Sequence, residues 1–333
     1  MRCTSPRTVG FKSDGKTISW SQKDYSKEFA TFQLPCGKCL ACRLDYSRQW
    51  AVRCMHEAKC FGDRNSFITL TYNDENLYSD KLYYIDFQLF IKRLRSRILD
   101  DELKKIFPSH SSDQRADEWS GMSKESKKEI NEKIAIGFFV TGEYGERRKR
   151  KHWHALIFNW RPDDCEYKYS NDRGDKVYSS KQLDDLWTFG ITEVGSVTFE
   201  SAGYCARYAA KKLVHGKDQD HNYDPISKKS SKHAIGKRWL EKYHDDLFNY
   251  GQLIVNGRPA GSIPRYYEKW LAKHHPEKFV RYISEVKSKK QLEAQERAIK
   301  DQATRPYSNS KALAEAIILY ENVKNRLFKF VKF

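Results

Sequence analysis

A chain of 333 residues with 39% hydrophobic and 14% aromatic content can bury one large or two moderate cores, which excludes an intrinsically disordered protein. Lysine and arginine number 61 against 44 aspartate and glutamate, and the net charge of +17 is the footprint of a polyanion binder, with nucleic acid the first candidate. No apolar run approaches the roughly 18 residues of a membrane-spanning helix, and MRCTSPRTVGF lacks the apolar stretch of an export signal, so a cytoplasmic chain with no membrane partner is expected.

Three regions differ in character. Residues 1–62 hold six of the eight cysteines, which without an export signal read as metal ligands or free thiols. The region ends in LACRLDYSRQWAVRCMHEAKCF, where Leu40, Leu44, Ala51, Cys54, Met55 and Ala58 recur at helical spacing and predict one long helix. Residues 63–215 alternate strand-like and helix-like patterns. SFITLTY (66–72) reads as a strand, and IDFQLFIKRLRSRIL (85–99) as an amphipathic helix burying Leu89, Phe90, Leu94 and Ile98. Residues 109–129 are polar and read as a surface insertion. Two strands follow, AIGFFVTGEYG (135–145) and HWHALIF (152–158), joined by the basic turn ERRKRK. ITEVGSVTF (191–199) reads as another strand and SAGYCARYAAKKL (201–213) as a helix capped by Ser201. Residues 216–333 begin with a polar loop and end in ALAEAIILYENVKNRLFKFV (312–331), whose apolar residues share a helical face. The expected fold is α+β: a central antiparallel sheet with flanking helices, a Cys-rich N-terminal helical region and a mostly helical C-terminal region.

PCGKCLAC (35–42) is a CxxCxxC run, the spacing that tetrahedral thiolate coordination of Zn²⁺ uses. Cys36, Cys39 and Cys42 supply three ligands. Cys54 is excluded as the fourth, because twelve helical residues at 1.5 Å each place it roughly 18 Å from Cys42. Cys3, arriving from the N-terminal arm, is the expected fourth, and an iron–sulfur cluster is the alternative with the same ligands.

A strand projects His152 and His154 to one side while Trp153, Ala155 and Ile157 point to the other. An antiparallel partner strand brings Glu143 beside them, with Glu146 the runner-up. Two imidazoles and a carboxylate leave coordination positions open and suit Mg²⁺ or Mn²⁺ when the substrate is a phosphodiester. Tyr204 and Tyr208 share a helical face, with Lys211 and Lys212 a turn further on. The turn Arg147-Arg148-Lys149-Arg150-Lys151 is placed to hold a DNA backbone.

In combination these motifs resemble a known group. TLTY, GEYG, an HxH strand and YxxxYxxKK, in that order, resemble the HUH endonuclease superfamily and, within it, the replication initiators of the Microviridae. PCGKCLACR, RCMHEAKC, SAGYCARYAAKK, AIGKRWLEKY and IPRYYEKWL resemble the gokushovirus-type initiator across nearly the whole chain. The resemblance implies an HUH/RRM-like nuclease core over 63–215. It implies a rolling-circle replication initiator that nicks and rejoins a single-stranded DNA origin in the bacterial host cytoplasm through a 5′-phosphotyrosine. On that reading His152, His154 and Glu143 hold the metal, Tyr204 and Tyr208 are nucleophiles, and Lys211 or Lys212 steadies phosphate or phenolate. The competing readings are a single-tyrosine transposase or relaxase and a non-catalytic zinc-containing DNA-binding protein. No GxxxxGK[ST] phosphate loop occurs, so strand separation is expected from a helicase of the host replication machinery.

Overall fold

The computed structural model describes residues 3–15, 17–77, 79, 81–145, 150–211, 226–293 and 296. The chain divides into two compact units, one of Met1–His244 with Gln252–Lys269 and one of Asp245–Gly251 with Trp270–Phe333. The tail at 312–331 lies outside the described residues.

The first unit opens with a small antiparallel sheet of β1 (Arg7–Phe11), β2 (Ile18–Ser19) and β3 (Phe32–Leu34) in the order β2–β1–β3. The expected long helix follows as α1 (Leu40–Lys59). Next come β4 (Asn65–Tyr72), α2 (Tyr84–Ile106), α3 (Ser112–Gly121), α4 (Lys124–Ile134), β5 (Gly137–Tyr144) and β6 (Lys151–Phe158). They are followed by β7 (Glu166–Ser170), β8 (Lys176–Ser179), α5 (Lys181–Leu186), β9 (Gly190–Gly195), α6 (Phe199–Lys211) and β10 (Ile226–Lys229). The central sheet has seven strands in the order β10–β5–β6–β4–β9–β8–β7, and every pairing is antiparallel. This is the α+β sheet with flanking helices that the sequence predicts.

Strand alternation divides the core in two. Ile68, Leu70 and Tyr72 of β4, Val140 of β5, and Trp153, Ala155 and Ile157 of β6 pack with Phe87, Phe90, Ile91 and Leu94 of α2 and with Leu183 and Leu186 of α5. The opposite face carries Phe139, Leu156 and Phe158 against Trp50, Ala51, Cys54 and Ala58 of α1 and Ala202, Cys205 and Ala206 of α6. Alanines where α1 and α6 meet let the two backbones approach, and Ser47 Oγ of α1 donates to the Ala206 carbonyl at 3.2 Å.

Three expectations are corrected. Residues 109–129 are not a loop: Ser111 and Gln114 form a reciprocal capping box that starts α3, and Ser123 caps α4. α2 buries Phe87 and Ile91, whereas Leu89 is 40% exposed, so the buried stripe is rotated from the one expected. β9 stops at Gly195, and α6 begins at Phe199 with Thr198 as its cap. Thr198 Oγ1 accepts from Ser201 N at 3.1 Å and Ser201 Oγ accepts from Thr198 N at 2.9 Å.

α1 also meets α7 (Lys237–Tyr250) and a short hairpin of β11 (Ile254–Val255) and β12 (Arg258–Pro259) that precedes α8 (Arg265–His274). His56, 2% exposed, stacks on Trp239, its Nε2 donating to the Ile254 carbonyl at 3.3 Å and its Nδ1 accepting from Tyr267 Oη at 3.0 Å. Both ring nitrogens are satisfied in the neutral form. Burial, more than the neighbouring Lys59, lowers this histidine to about 4. Between about pH 6.5 and 4 the unfolded chain therefore binds a proton that the folded chain refuses. Stability is retained above that window and falls by up to about 3 kcal/mol as pH drops through it. Urea unfolding of the wild type and of His56→Gln at pH 7.5 and pH 5 should show a smaller acid loss in the variant; equal losses would contradict this assignment.

In the second unit, α9 (Pro276–Arg281) runs on into the wider turn of Tyr282–Lys287, and Phe248 packs edge-on to Tyr282 at 4.9 Å.

Candidate active site

The register of β5 with β6 sets Glu143 directly opposite His152, and Thr141 opposite His154. Directly opposed residues share a face, so the carboxylate and both imidazoles project together toward α6. Gly142 helps to fix this edge of β5, because a Cβ there would stand 2.7 Å from the Trp153 indole lying across it on the other face. Glu143 Oε1 lies 3.5 Å from His154 Nε2, and Oε2 lies 4.0 Å from His152 Nε2.

His152 Nδ1 faces the Arg150 carbonyl at 3.1 Å; a carbonyl only accepts, so Nδ1 carries the proton and the neutral ring presents a bare Nε2 to the carboxylate. His154 Nδ1 bonds Thr69 Oγ1 at 3.0 Å, leaving its Nε2 aimed at the same place. Burial lowers the pKa of His152, and burial followed by the charge of His152 holds His154 well below the usual range. Two neutral Nε2 lone pairs facing a carboxylate repel unless a cation lies between them, which is the donor set of a metal site. Ligand atoms of Glu143, His152 and His154 all lie within 4.8 Å of one another.

The α6 cap aims Tyr204 and Tyr208 at this cluster. Tyr204 Oη donates to Glu143 Oε2 at 3.0 Å and lies 3.5 Å from Tyr208 Oη, and its ring meets His154 edge-on at 5.1 Å. Tyr204 is only 5% exposed; burial first, then the Glu143 charge and Tyr208, push its phenol far above the usual range. Arg207, which the sequence reading passed over, holds its guanidinium 5.8 Å from the Tyr204 ring. Burial lowers its pKa. Its signal was the arginine inside YCARY, one residue before the second tyrosine.

Other expected residues fall elsewhere. Lys211 is the last residue of α6, and its side chain and Lys212 lie outside the described part, as do Glu146, Arg147, Arg148 and Lys149. Arg150 donates to the Tyr72 carbonyl at 2.9 Å and pairs with Asp74. Lys151 does not stand on the surface expected of it. It is 1% exposed on the opposite face of the sheet, where its ammonium donates to the Lys81 carbonyl at 3.1 Å and lies 4.5 Å from the Tyr72 ring centre.

Cys3, Cys36, Cys39 and Cys42 also meet within 4.8 Å. Sγ atoms of Cys36 and Cys42 stand 3.9 Å apart, and those of Cys39 and Cys3 3.7 Å apart. A tetrahedral Zn–S₄ centre with 2.3 Å bonds has an edge of about 3.8 Å, so the thiols fit one. Burial opposes ionisation of Cys39, but hydrogen bonds from the Cys42 and Thr4 backbone outweigh it and bring the thiol to about 6. Burial and the neighbouring cysteines push Cys42 up to about 12. One thiolate discourages the next, a repulsion that a bound dication relieves. Cys39 also caps α1, so this cluster fixes the start of the helix that backs α6. Among the described residues these are the two groups of three or more that could hold a metal, and no helix is long and apolar enough to cross a membrane.

A family profile described as that of the replication-associated protein ORF2 matches residues 107–213, a span that contains both the β5–β6 pair and α6. The chain is 46% identical to Replication-associated protein VP4 of Bdellovibrio phage phiMH2K over 302 residues, covering 91% of this chain and 87% of that one. It is 25% identical to Replication-associated protein ORF2 of Spiroplasma virus 4, covering 100% and 99% of the two chains. It is 31% identical to Replication-associated protein ORF4 of Chlamydia phage 1, covering 74% of this chain and 55% of that one. No solved structure matches the chain.

Proposed function

We propose, from the premise that the chain belongs to the replication-associated proteins of Microviridae-type phages, that it initiates rolling-circle replication by nicking and rejoining a single-stranded DNA origin in the host cytoplasm. The observation that carries this reading is the convergence of Glu143, His152 and His154 with the hydroxyls of Tyr204 and Tyr208. A structural ion in a closed site has no use for two phenols at its edge.

Glu143 and the two Nε2 atoms would hold Mg²⁺ or Mn²⁺, which supplies polarisation of the non-bridging oxygens of the scissile phosphate. The phenol oxygen of one tyrosine adds to phosphorus, its proton passing to water. The P–O3′ bond breaks and the 3′-oxygen takes up a proton. This leaves a 5′-phosphotyrosine and a free 3′-OH, and the retained phosphodiester energy allows later rejoining. Arg207, Lys211 and Lys212 supply positive charge where phenolate and phosphorane oxygens develop. Arg207→Met is expected to slow covalent capture about 10²-fold while single-strand affinity stays near wild type; an unchanged rate removes Arg207 from this role. Arg150, with Arg147, Arg148 and Lys149 beside it in sequence, is read as a contact to the DNA backbone, and Lys151 is left out.

Incubation with single-stranded oligonucleotides tiled over the encoding genome, with Mn²⁺ or without divalent metal, tests the reading. One cleaved oligonucleotide, cut only with metal and only when single-stranded, is expected; binding without cleavage on any oligonucleotide favours the non-catalytic DNA-binding reading. Strand separation is assigned to a host helicase, and ATP-driven unwinding by the purified protein would contradict that.

The four cysteines are read as a structural Zn²⁺ site. Elemental analysis should find about one zinc per chain in a colourless protein, lost in Cys39→Ser together with order in the N-terminal sheet. Visible absorption with iron in place of zinc would instead establish an iron–sulfur cluster.

A further inference from the structure

The face of the sheet that carries the histidines is only half covered. α1 and α6 bury Phe139, Leu156 and Phe158 over β5 and β6. Beyond β6 the same face opens: Thr69 and Thr71 of β4 are half-buried, and Ile191 of β9 is 57% exposed. Strand registers align these positions with the site in two rows, Glu143–His152–Thr71–Ile191 and Thr141–His154–Thr69–Glu193. At about 4.8 Å per strand, Glu193 stands about 10 Å from His154 across an unroofed surface.

The β7–β8 hairpin borders that surface, and a β-bulge aims one of its tyrosines onto it. Tyr167 pairs with Tyr178, which faces the α2 side, but the register shifts between Tyr167 and Tyr169, so that Tyr169 pairs with Val177 and comes out on the histidine face. Its hydroxyl donates to the Glu193 oxygens at 3.2 and 3.3 Å, while Lys168 Nζ binds the same carboxylate at 3.1 Å. Glu193 thus pins an aromatic ring that remains 41% exposed. Arg173 in the hairpin turn is near enough for its charge to bear on Arg207 of α6, which brings cationic groups to both sides of the open face.

We propose that this open half of the sheet is the track by which single-stranded DNA reaches the site, with Tyr169 stacking on a base a few nucleotides from the scissile phosphate and Lys168 and Arg173 meeting flanking phosphates. Both assignments rest on the DNA-nicking activity read above. Single-stranded DNA is the occupant that fits. A pinned aromatic face among cations suits exposed bases joined by phosphates, whereas a duplex hides its bases, and the net charge of +17 disfavours a basic protein partner.

The test is the affinity of the full chain, without added divalent metal, for the oligonucleotide it cleaves or otherwise binds tightest, scanned one abasic position at a time. Wild type should lose affinity at one flanking position. Tyr169→Ala should bind roughly 10- to 100-fold more weakly and be indifferent to the base at that position, while Tyr169→Phe, which keeps the ring, stays near wild type. Wild-type affinity in Tyr169→Ala, or an unaltered abasic profile in a folded Tyr169→Ala, overturns the platform. Covalent adduct formation by the wild type is read in parallel; its absence counts against nicking without changing the affinity result by which Tyr169 is judged.

Discussion

Tyr204→Phe/Tyr208→Phe is expected to form no covalent protein–DNA adduct, a fall of at least about 10⁴-fold, while still binding the single strand. Phenylalanine keeps the rings that pack on each other and on His154, and removes only the two oxygens at the edge of the carboxylate–imidazole cluster. Losing the Tyr204 hydroxyl takes a buried donor from Glu143, costing about 1–3 kcal/mol of stability, so a thermal melt must accompany the kinetics. The single variants carry further information because the two phenols are not equivalent. Tyr204 is 5% exposed and hydrogen-bonded to Glu143, whereas Tyr208 is less buried. If the tyrosines alternate, each single variant retains a first cleavage but fails to complete a cycle of cutting and rejoining. Loss of all cleavage in one variant and none in the other would favour the single-tyrosine reading. An adduct formed by the double variant would contradict tyrosine chemistry outright.

The second large effect is expected from Glu143→Gln, which preserves shape and removes the charge. The two imidazoles are held neutral by burial, so Glu143 supplies the negative charge among the three ligands. Lewis-acid activation is worth several kcal/mol, so adduct formation should fall about 10²- to 10⁴-fold, with half-saturation moved to higher Mn²⁺ concentration. Folding without metal should be little affected, because an amide is cheaper to bury than a carboxylate. A variant with wild-type metal dependence would show that the cluster is a structural polar network.

Much of this site was legible because strands have a period of two. His152 and His154 one residue apart in an apolar run fixed their common face, and a short basic turn between two strands implied the antiparallel register that sets Glu143 opposite His152. The same rule was not carried far enough at Lys151, which shares the parity of Trp153 and so had to enter the other face. Polar composition concealed α3, although Ser111-Ser112-Asp113-Gln114 carries the capping-box signature; cap chemistry outweighed the lack of an apolar stripe. On α2 the buried arc is centred on Phe87, Phe90, Ile91 and Leu94, which only the position of the sheet decides. The β7–β8 hairpin escaped the reading because its residues face solvent, and what makes Tyr169 notable is a bulge that spacing does not reveal. Cys3 lies 33 residues before Cys36 in the chain, and elimination of Cys54 by helix length led to it.

The measurement that bears most directly on the central claim is the recovery of an SDS-resistant protein–DNA adduct from the cleaved oligonucleotide, followed by peptide mapping. A metal-dependent adduct whose modified peptide contains Tyr204 or Tyr208 is the predicted result. An adduct mapping elsewhere, or cleavage that leaves a free 5′-phosphate and no adduct, would contradict it and turn the β5–β6 cluster into a site that uses water as its nucleophile.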